Sequence, residues 1–389
     1  LEAAEGLPVT YVRGYSVADD ETTDEMIAEA VAAAQKAKVA VVFAGLPDVY
    51  ESEGYDRTHM GMPACQNRLI EAVAEANPNT VVVLHNGSPV EMPWIDKVRG
   101  VIEAYLGGQA VGLAAVRVLY GDVNPSGKLP ESFPKKLSDN PSFLFYGGEK
   151  DLTEYREGIF VGYRYYDKKE SDVLFPFGYG LSYTDFEFSD LKLDKTSMDD
   201  TDTLNVSVKV KNSGDCAGKC VVQLYVGDKE STPIRPVREL KGFEKVWLEP
   251  GEKKEVCFIL DKRAFAYWNT QIHDWHVESG DFNVEIGHSS RDIDLCAEVT
   301  VNSTVELPRC YDKDTIFMDL MADPKAQAAL RPMLDAIGNT FGVSEDKEQT
   351  DAAQEAITDE MTMAMLNYMP LRAMISFGGM DHEQLEQIL

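Results

Sequence analysis

The sequence predicts a multidomain α/β plus all-β chain: a partial parallel α/β (αβα) sandwich, then a β-sandwich, then a helical C-terminal tail. Three observations carry this. Helical segments of ten to fifteen residues alternate with short apolar runs up to residue 120, the pattern of βα units in a parallel sheet. From 184 to about 302, apolar and polar residues alternate with period two, broken by the turn signals NSG, EPGE and ESGD. That reads as an all-β sandwich of roughly seven strands. From 311 to 389 helical spacing returns.

The elements follow in order. Residues 24–37, DEMIAEAVAAAQKA, set Met26, Ile27, Ala30, Val31 and Ala34 at helical spacing. VAVVFAG (39–45) is an unbroken apolar run ending in Gly, the pattern of a strand buried on both faces. A helix over 63–77 opens with Pro63, a residue suited to a first helical turn. The strand TVVVLHNG (80–87), a short helix near 93–98, the strand GVIEAYL (100–106) and a helix over 109–120 complete the region. The strands end in AGLPD, HNGSP and YLGGQ, and open α/β sheets place ligands at such C-terminal ends. Three repeats are too few to close the sheet, so further strands are expected to precede Leu1. Residues 121–183, dense in Pro, Gly and Tyr, read as a connector that packs on its neighbours. The expected boundaries are 1–145 for the α/β part, 146–183 for the connector, 184–302 for the β-sandwich and 303–389 for the helical extension. The tail is rich in Met, which fills irregular contacts.

Composition narrows the function. The chain has 389 residues, 44% hydrophobic and 10% aromatic, with a formal net charge of −29. It is long enough for two or three domains with real cores. So acidic a chain, with no basic stripe, argues against nucleic acid and anionic membrane as partners. It suits a neutral partner such as a sugar. No apolar run approaches the length needed to span a bilayer. The cysteines at 65, 216, 220, 257, 296 and 310 read as buried free thiols of a reducing compartment, with a cytoplasmic location expected. Cys216 and Cys220, in CAGKC, lack a second Cys/His pair at zinc spacing, and His273 and His276 in HDWH fall on opposite faces of a strand. No metal and no cofactor are expected.

The densest chemistry is LPDVYESEGYDRTHMGMP, residues 46–63, which holds four acidic side chains, an Arg, a His and two tyrosines. It is the longest loop following a strand, which favours function there. Glu51 and Glu53 are the candidates for proton chemistry, with plain solvated charge as the alternative. Gly54 lends the loop backbone freedom. Asp56 and Arg57 read as a pair that braces it. His85 reads as a satisfied side chain at a strand end. The aromatics of GYRYYD and FGYG suit sugar stacking, yet domain packing is the favoured reading.

These motifs resemble glycoside hydrolase family 3. ESEGYDR followed by MP and Gln66 resembles the loop and Pro-led helix of that family's second domain. TVVVLHNGSPVEMPW and YLGGQAVGLAAVRVLYGDVNPSGKLPESFP are similar to its later segments, and EGIFVGYRYYD and FPFGYGLSYTDF to its connector. VKNSGDCAGKCVVQLYV, RELKGFEKVWLEPGE and GDFNVEIGHSSRDI resemble its fibronectin type III-like domain. The ordered match covers about 1–302, and the helical tail resembles extensions of some bacterial members.

The resemblance implies a retaining exo-acting β-glycosidase, most often a β-glucosidase, acting on β-glucoside or oligosaccharide substrates in carbohydrate metabolism or polysaccharide degradation. It implies that Glu53 is the general acid/base, with Glu51, Asp56 and Arg57 in support. The Asp nucleophile then belongs to a (β/α)8 barrel with no counterpart in these residues, so the chain alone is expected to be inactive. A β-xylosidase or other family 3 specificity, and a non-catalytic carbohydrate-binding or scaffold module, are the alternatives. A β-N-acetylglucosaminidase is disfavoured by the fibronectin-like segment. A homo-oligomer is compatible with the sequence.

Overall fold

The computed structural model describes residues 4, 6, 8–17, 20–54, 57–328, 364, 367–377, 381, 383 and 386. Two compact units result, Leu1–Val305 and Glu306–Leu389. No described helix is long and apolar enough to cross a membrane.

The first unit opens with helix α1 (Asp24–Lys36), capped by the Thr23 hydroxyl, which accepts from the Met26 amide. Strand β1 (Ala40–Gly45), helix α2 (Ala64–Ala76), strand β2 (Thr80–His85), strand β3 (Gly100–Glu103) and helix α3 (Val111–Leu119) follow. The strands form a parallel sheet in the order β1-β2-β3, with Val42 opposite Val82 and Val82 opposite Val101. Buried Asn77, just past α2, donates to the carbonyls of Ala34 and Ala37 and so ties the ends of the two helices together. The core gathers Ile70, Val82, Leu84, Val90 and Trp94 around α2 and β2.

One strand departs from expectation. The central strand β2 carries buried Val82, Val83 and Leu84, as its unbroken apolar run requires. In β1 burial alternates instead, and Val41 and Phe43 are 38% and 45% exposed. β1 is an edge of the sheet. Among the described residues, its second face meets little beyond the His85 ring, stacked 6.2 Å from Phe43.

The β-sandwich pairs a five-stranded and a three-stranded sheet. The first runs β5-β13-β12-β7-β8 and the second β4-β6-β9. The strands are β4 (Phe186–Leu193), β5 (Ser197–Asp199), β6 (Leu204–Asn212), β7 (Gly218–Asp228), β8 (Glu239–Leu248) and β9 (Lys253–Leu260). Next come a hairpin of β10 (Tyr267–Asn269) and β11 (Asp274–His276), then β12 (Gly280–Gly287) and β13 (Ile293–Asn302). Only β5 joins its neighbour in parallel. β6 buries Leu204, Val206, Val208 and Val210 and turns the intervening residues outward. Two short helices belong to this unit, α4 (Tyr163–Lys168) and α5 (Lys262–Phe265).

The connector binds the α/β part to the sandwich. Residues 129–133 pair with 174–179 through Leu129 N–H to Tyr179 O and Phe133 N–H to Phe175 O, both 2.8 Å. Tyr163 of α4 stacks on Phe177 at 4.5 Å, and its hydroxyl accepts from the Leu240 amide of β8. Gln223 of β7 donates to the carbonyls of Gly178 and His288 and accepts from the Tyr225 hydroxyl. The GYRYYD and FGYG aromatics are packing groups first.

Cysteine burial needs correction. Cys65 and Cys220 are buried thiols, whereas Cys216, Cys257, Cys296 and Cys310 are exposed. Cys257 and Cys296 occupy outward positions of β9 and β13, because alternation in a half-buried strand sends every second residue to solvent. His276 is buried and His273 exposed, and the described residues hold no cluster suited to a metal ion.

In the second unit, helices α6 (Phe317–Met321) and α7 (Ala373–Phe377) contribute to a small core around Leu320 and Leu371. Most of the Met-rich helical segment expected over 351–377 lies outside the described residues.

Candidate active site

The parallel sheet brings the ends of β1, β2 and β3 together, and the 46–63 loop leaves from the first of them. Its departure is fixed by Gln66 at the start of α2. The buried Gln66 amide accepts from Gly45 N–H at 2.8 Å and donates to Gly45 O at 2.9 Å. Gly45 must be glycine, since a Cβ there would lie 2.0 Å from the His85 carbonyl oxygen. Tyr50 and Glu51 then fold back on Pro47 through backbone hydrogen bonds, and the Tyr50 hydroxyl donates to Asp20 at 2.6 Å. That bond, with burial, raises Tyr50 to about 12.

Two side chains seat the loop on the turn after β2. Glu51 accepts from Gly87 N–H at 2.6 Å and from the Ser88 hydroxyl at 2.8 Å. Arg57 donates to the same Ser88 hydroxyl at 2.8 Å, to the carbonyls of His59 and Pro89, and stands 3.9 Å from Glu51. The Ser88 hydroxyl therefore passes the guanidinium's hydrogen bond on to the carboxylate. Gly87 is close-fitted, with a Cβ there meeting Glu51 at 3.0 Å. Burial draws the Arg57 guanidinium below its ordinary value, with Glu51 opposing.

After the anchor at Glu51, residues 52–54 are exposed and form a short arm. Glu53 and Gly54 are exposed. Gly54 has φ +93° with open space where a Cβ would go, so its backbone conformation, not crowding, calls for glycine. Glu53 makes no hydrogen bond or ion pair with the described residues. Asp56, expected to brace Arg57, lies outside the described residues; the brace seen is Glu51 with Ser88. His59 lies at the base of the loop, edge-on to Tyr50 with centroids 5.9 Å apart. A groove of about 630 Å³ runs beside that base, lined by Arg57, His59, Glu131, Arg164 and Tyr166 among others.

Beneath the turn sits a group that motif reading did not single out. Glu103, the last residue of β3, accepts from the Tyr105 amide at 2.9 Å and from Asn86 Nδ2 at 3.3 Å. Asn86 is fully buried, and its amide also donates to the Ser88 carbonyl. Burial raises the Glu103 carboxyl from 4.5 to about 7, with Glu131 and Glu51 adding to the rise. Burial also raises Glu131, again helped by Glu51. Tyr105 holds φ +47°, a left-handed conformation that costs a non-glycine residue about 1–2 kcal/mol. The one signal available was positional, since HNGSP and YLGGQ end neighbouring parallel strands.

An open parallel sheet with a carboxyl-bearing loop at the C-terminal ends of its strands, followed by a β-sandwich, is the layout that the family 3 resemblance implies. Residues 4–183 match the glycosyl hydrolase family 3 C-terminal domain, and 220–290 match a fibronectin type III-like domain. Over those residues the chain carries the C-terminal domain of glycoside hydrolase family 3 and a fibronectin type III-like domain. It is 56% identical to thermostable beta-glucosidase B of Acetivibrio thermocellus over 98% of its own length and 49% of that protein's. An exo-alpha-(1->6)-L-arabinopyranosidase of Bifidobacterium breve is 44% identical over 75% of the chain and 38% of the relative. Among solved structures, the GH3 beta-glucosidase of Bifidobacterium adolescentis superposes with TM-score 0.78 at 42% identity, covering 84% of this chain and 48% of that one. The chain spans about half or less of the length of the curated relatives it matches.

Proposed function

We propose that the chain is the C-terminal part of a retaining exo-acting β-glucosidase and supplies its general acid/base, Glu53. One observation carries the choice between the two loop glutamates. Both carboxyl oxygens of Glu51 are taken up by Gly87 and Ser88, whereas Glu53 stands exposed and without a partner among the described residues. A carboxyl committed to an anchoring network cannot move a proton to a leaving group; a carboxyl on an arm can enter a facing pocket.

Retaining hydrolysis needs two carboxyl groups about 5–5.5 Å apart. In this reading the second, an aspartate nucleophile, comes from the barrel that the family resemblance implies. Glu53 protonates the glycosidic oxygen as the nucleophile attacks the anomeric carbon, and the aglycone leaves. It then takes a proton from water as that water displaces the nucleophile. A carboxyl removed from water keeps its proton to higher pH, so docking of the arm prepares the acid.

The test uses the barrel-containing protein. Glu53→Ala is expected to lower turnover about 10²–10⁴-fold on a poor leaving group. Azide, a nucleophile that needs no general base, is expected to rescue deglycosylation partly on an activated aryl β-glucoside. Near-normal activity of Glu53→Ala on the poor leaving group overturns the assignment, and loss in Glu51→Gln with azide rescue transfers the role to Glu51. The kinship to proteins named L-arabinopyranosidases favours, as a second reading, a pentose specificity, read by comparing aryl β-xyloside and α-L-arabinopyranoside as substrates.

A further inference from the structure

Three carboxyl groups converge on the turn at 86–89. Glu51 meets it from the loop above, accepting from Gly87 and Ser88. Glu103 meets it from the end of β3 through Asn86. Glu131, from the extended segment that pairs with 174–179, lines the same groove as Ser88 and Pro89, and its charge raises Glu103. Among the described residues, Arg57 is the cation that reaches this group, 3.9 Å from Glu51 and bound to Ser88. Tyr105 adds a phenol that burial, with Glu131 and Glu103 beside it, keeps neutral. With all three carboxyls ionised, three negative charges share one guanidinium in a largely buried site. Holding a proton on one of them relieves both the repulsion and the desolvation.

We infer that Glu103 is a positioning residue for the loop anchors Glu51 and Arg57, whose seat on the turn holds when the Glu103 carboxyl is neutral and loosens when it ionises. Glu103 is the member best placed for this. It touches the turn through Asn86, the residue that also holds the Ser88 carbonyl, and Ser88 is where both loop anchors meet. The elevated titration of Glu103, to about 7, sets the range over which the seat changes. The sign follows from linkage. A carboxyl that keeps its proton longer when seated than when hydrated favours the seated state at low pH and loses that preference as pH rises through the seated value. The catalytic consequence rests on the assignment of Glu53 above; the seating itself does not.

Amide hydrogen exchange at Gly87, whose N–H donates to Glu51, reads the seat directly in this chain. Between pH 6 and pH 8, corrected for intrinsic exchange, Gly87 protection is expected to fall up to about tenfold, while Leu224 in the β-sandwich stays level. Glu103→Gln, neutral at every pH but able to accept from only one of the two N–H donors on Glu103, is expected to show no change in Gly87 protection between pH 6 and pH 8, whatever its level. Glu131→Gln, which removes a repelling neighbour, shrinks the fall. A level wild-type profile at Gly87, or the same fall in Glu103→Gln, overturns the inference. Should Glu103→Gln not fold, the wild-type comparison at the two pH values decides alone. In the barrel-containing enzyme, Glu103→Gln is expected to carry the alkaline limb of kcat to higher pH with KM little changed. Inactivity of Glu53→Ala with no exchange step would sink this inference and leave the acid/base reading standing; the reverse pattern would do the opposite.

Discussion

At the residue scale, the loop glutamates have opposite surroundings two positions apart. Glu51 is satisfied by a backbone amide and a hydroxyl, and Glu53 faces outward. Sequence spacing leaves such a pair undecided, because their separation follows from a turn that Gly87 and Ser88 supply some 36 residues later. Glu103 carries the clearest consequence for stability. Its folded carboxyl titrates near 7 against an ordinary 4.5, so the folded state binds the proton more tightly than the unfolded chain. Stability from this group is therefore full below about 4.5 and lost as pH rises through about 7. The stability of Glu103→Gln relative to wild type should be about 1–3 kcal/mol more favourable at pH 8 than at pH 4. Thermal or urea unfolding at the two pH values checks this, and an equal gap at both would show that the effect is packing rather than charge.

At the scale of elements, the segments expected for α1, β1, α2, β2 and α3 lie within two residues of their observed bounds, whereas the strand expected over 100–106 ends at Glu103. VAVVFAG is placed as expected but differs in burial, for a physical reason. An unbroken apolar run shows that a strand can be buried on both faces, not that both faces are covered by the residues at hand. CVVQLYVG carries the complementary lesson. Its apolar run reads as one strand of an alternating sandwich, yet β7 is buried almost throughout, because Tyr163, Phe177 and Gly178 of the connector cover its outer side. The link between α2 and β1 is testable in isolation. Gln66→Leu strands the Gly45 amide and carbonyl and is expected to destabilise the first unit by about 2–4 kcal/mol. Calorimetry measures the loss, and a change within about 0.5 kcal/mol would show that water replaces the amide.

For the whole molecule, the Pro-, Gly- and Tyr-rich connector makes the α/β part and the sandwich one compact unit. Gln223 is central there, joined to the connector at Gly178, to the sandwich at His288 and to the buried Tyr225 hydroxyl. Gln223→Leu is expected to cost about 2–4 kcal/mol by leaving buried partners unsatisfied. A single unfolding transition shifted downward supports cooperative coupling of the two parts. Two separated transitions, with only one shifted, would show that they melt independently. The motif order made this organisation legible because each motif sits at a strand end or domain junction. The carboxyl cluster was not legible, since it depends on a loop, a strand end and the 129–133 segment meeting at one turn.

The residues between Glu51 and Arg57 are tethered at both ends to one turn, through those two side chains. A chain that must go out and return over so few residues reaches no more than about 10 Å from its base, at about 3.3–3.6 Å per residue. That length is a ruler. On the role proposed for Glu53, a surface presenting a sugar to it must come within about that span of Ser88, and lengthening the segment by two or three residues should spoil aim before it spoils folding.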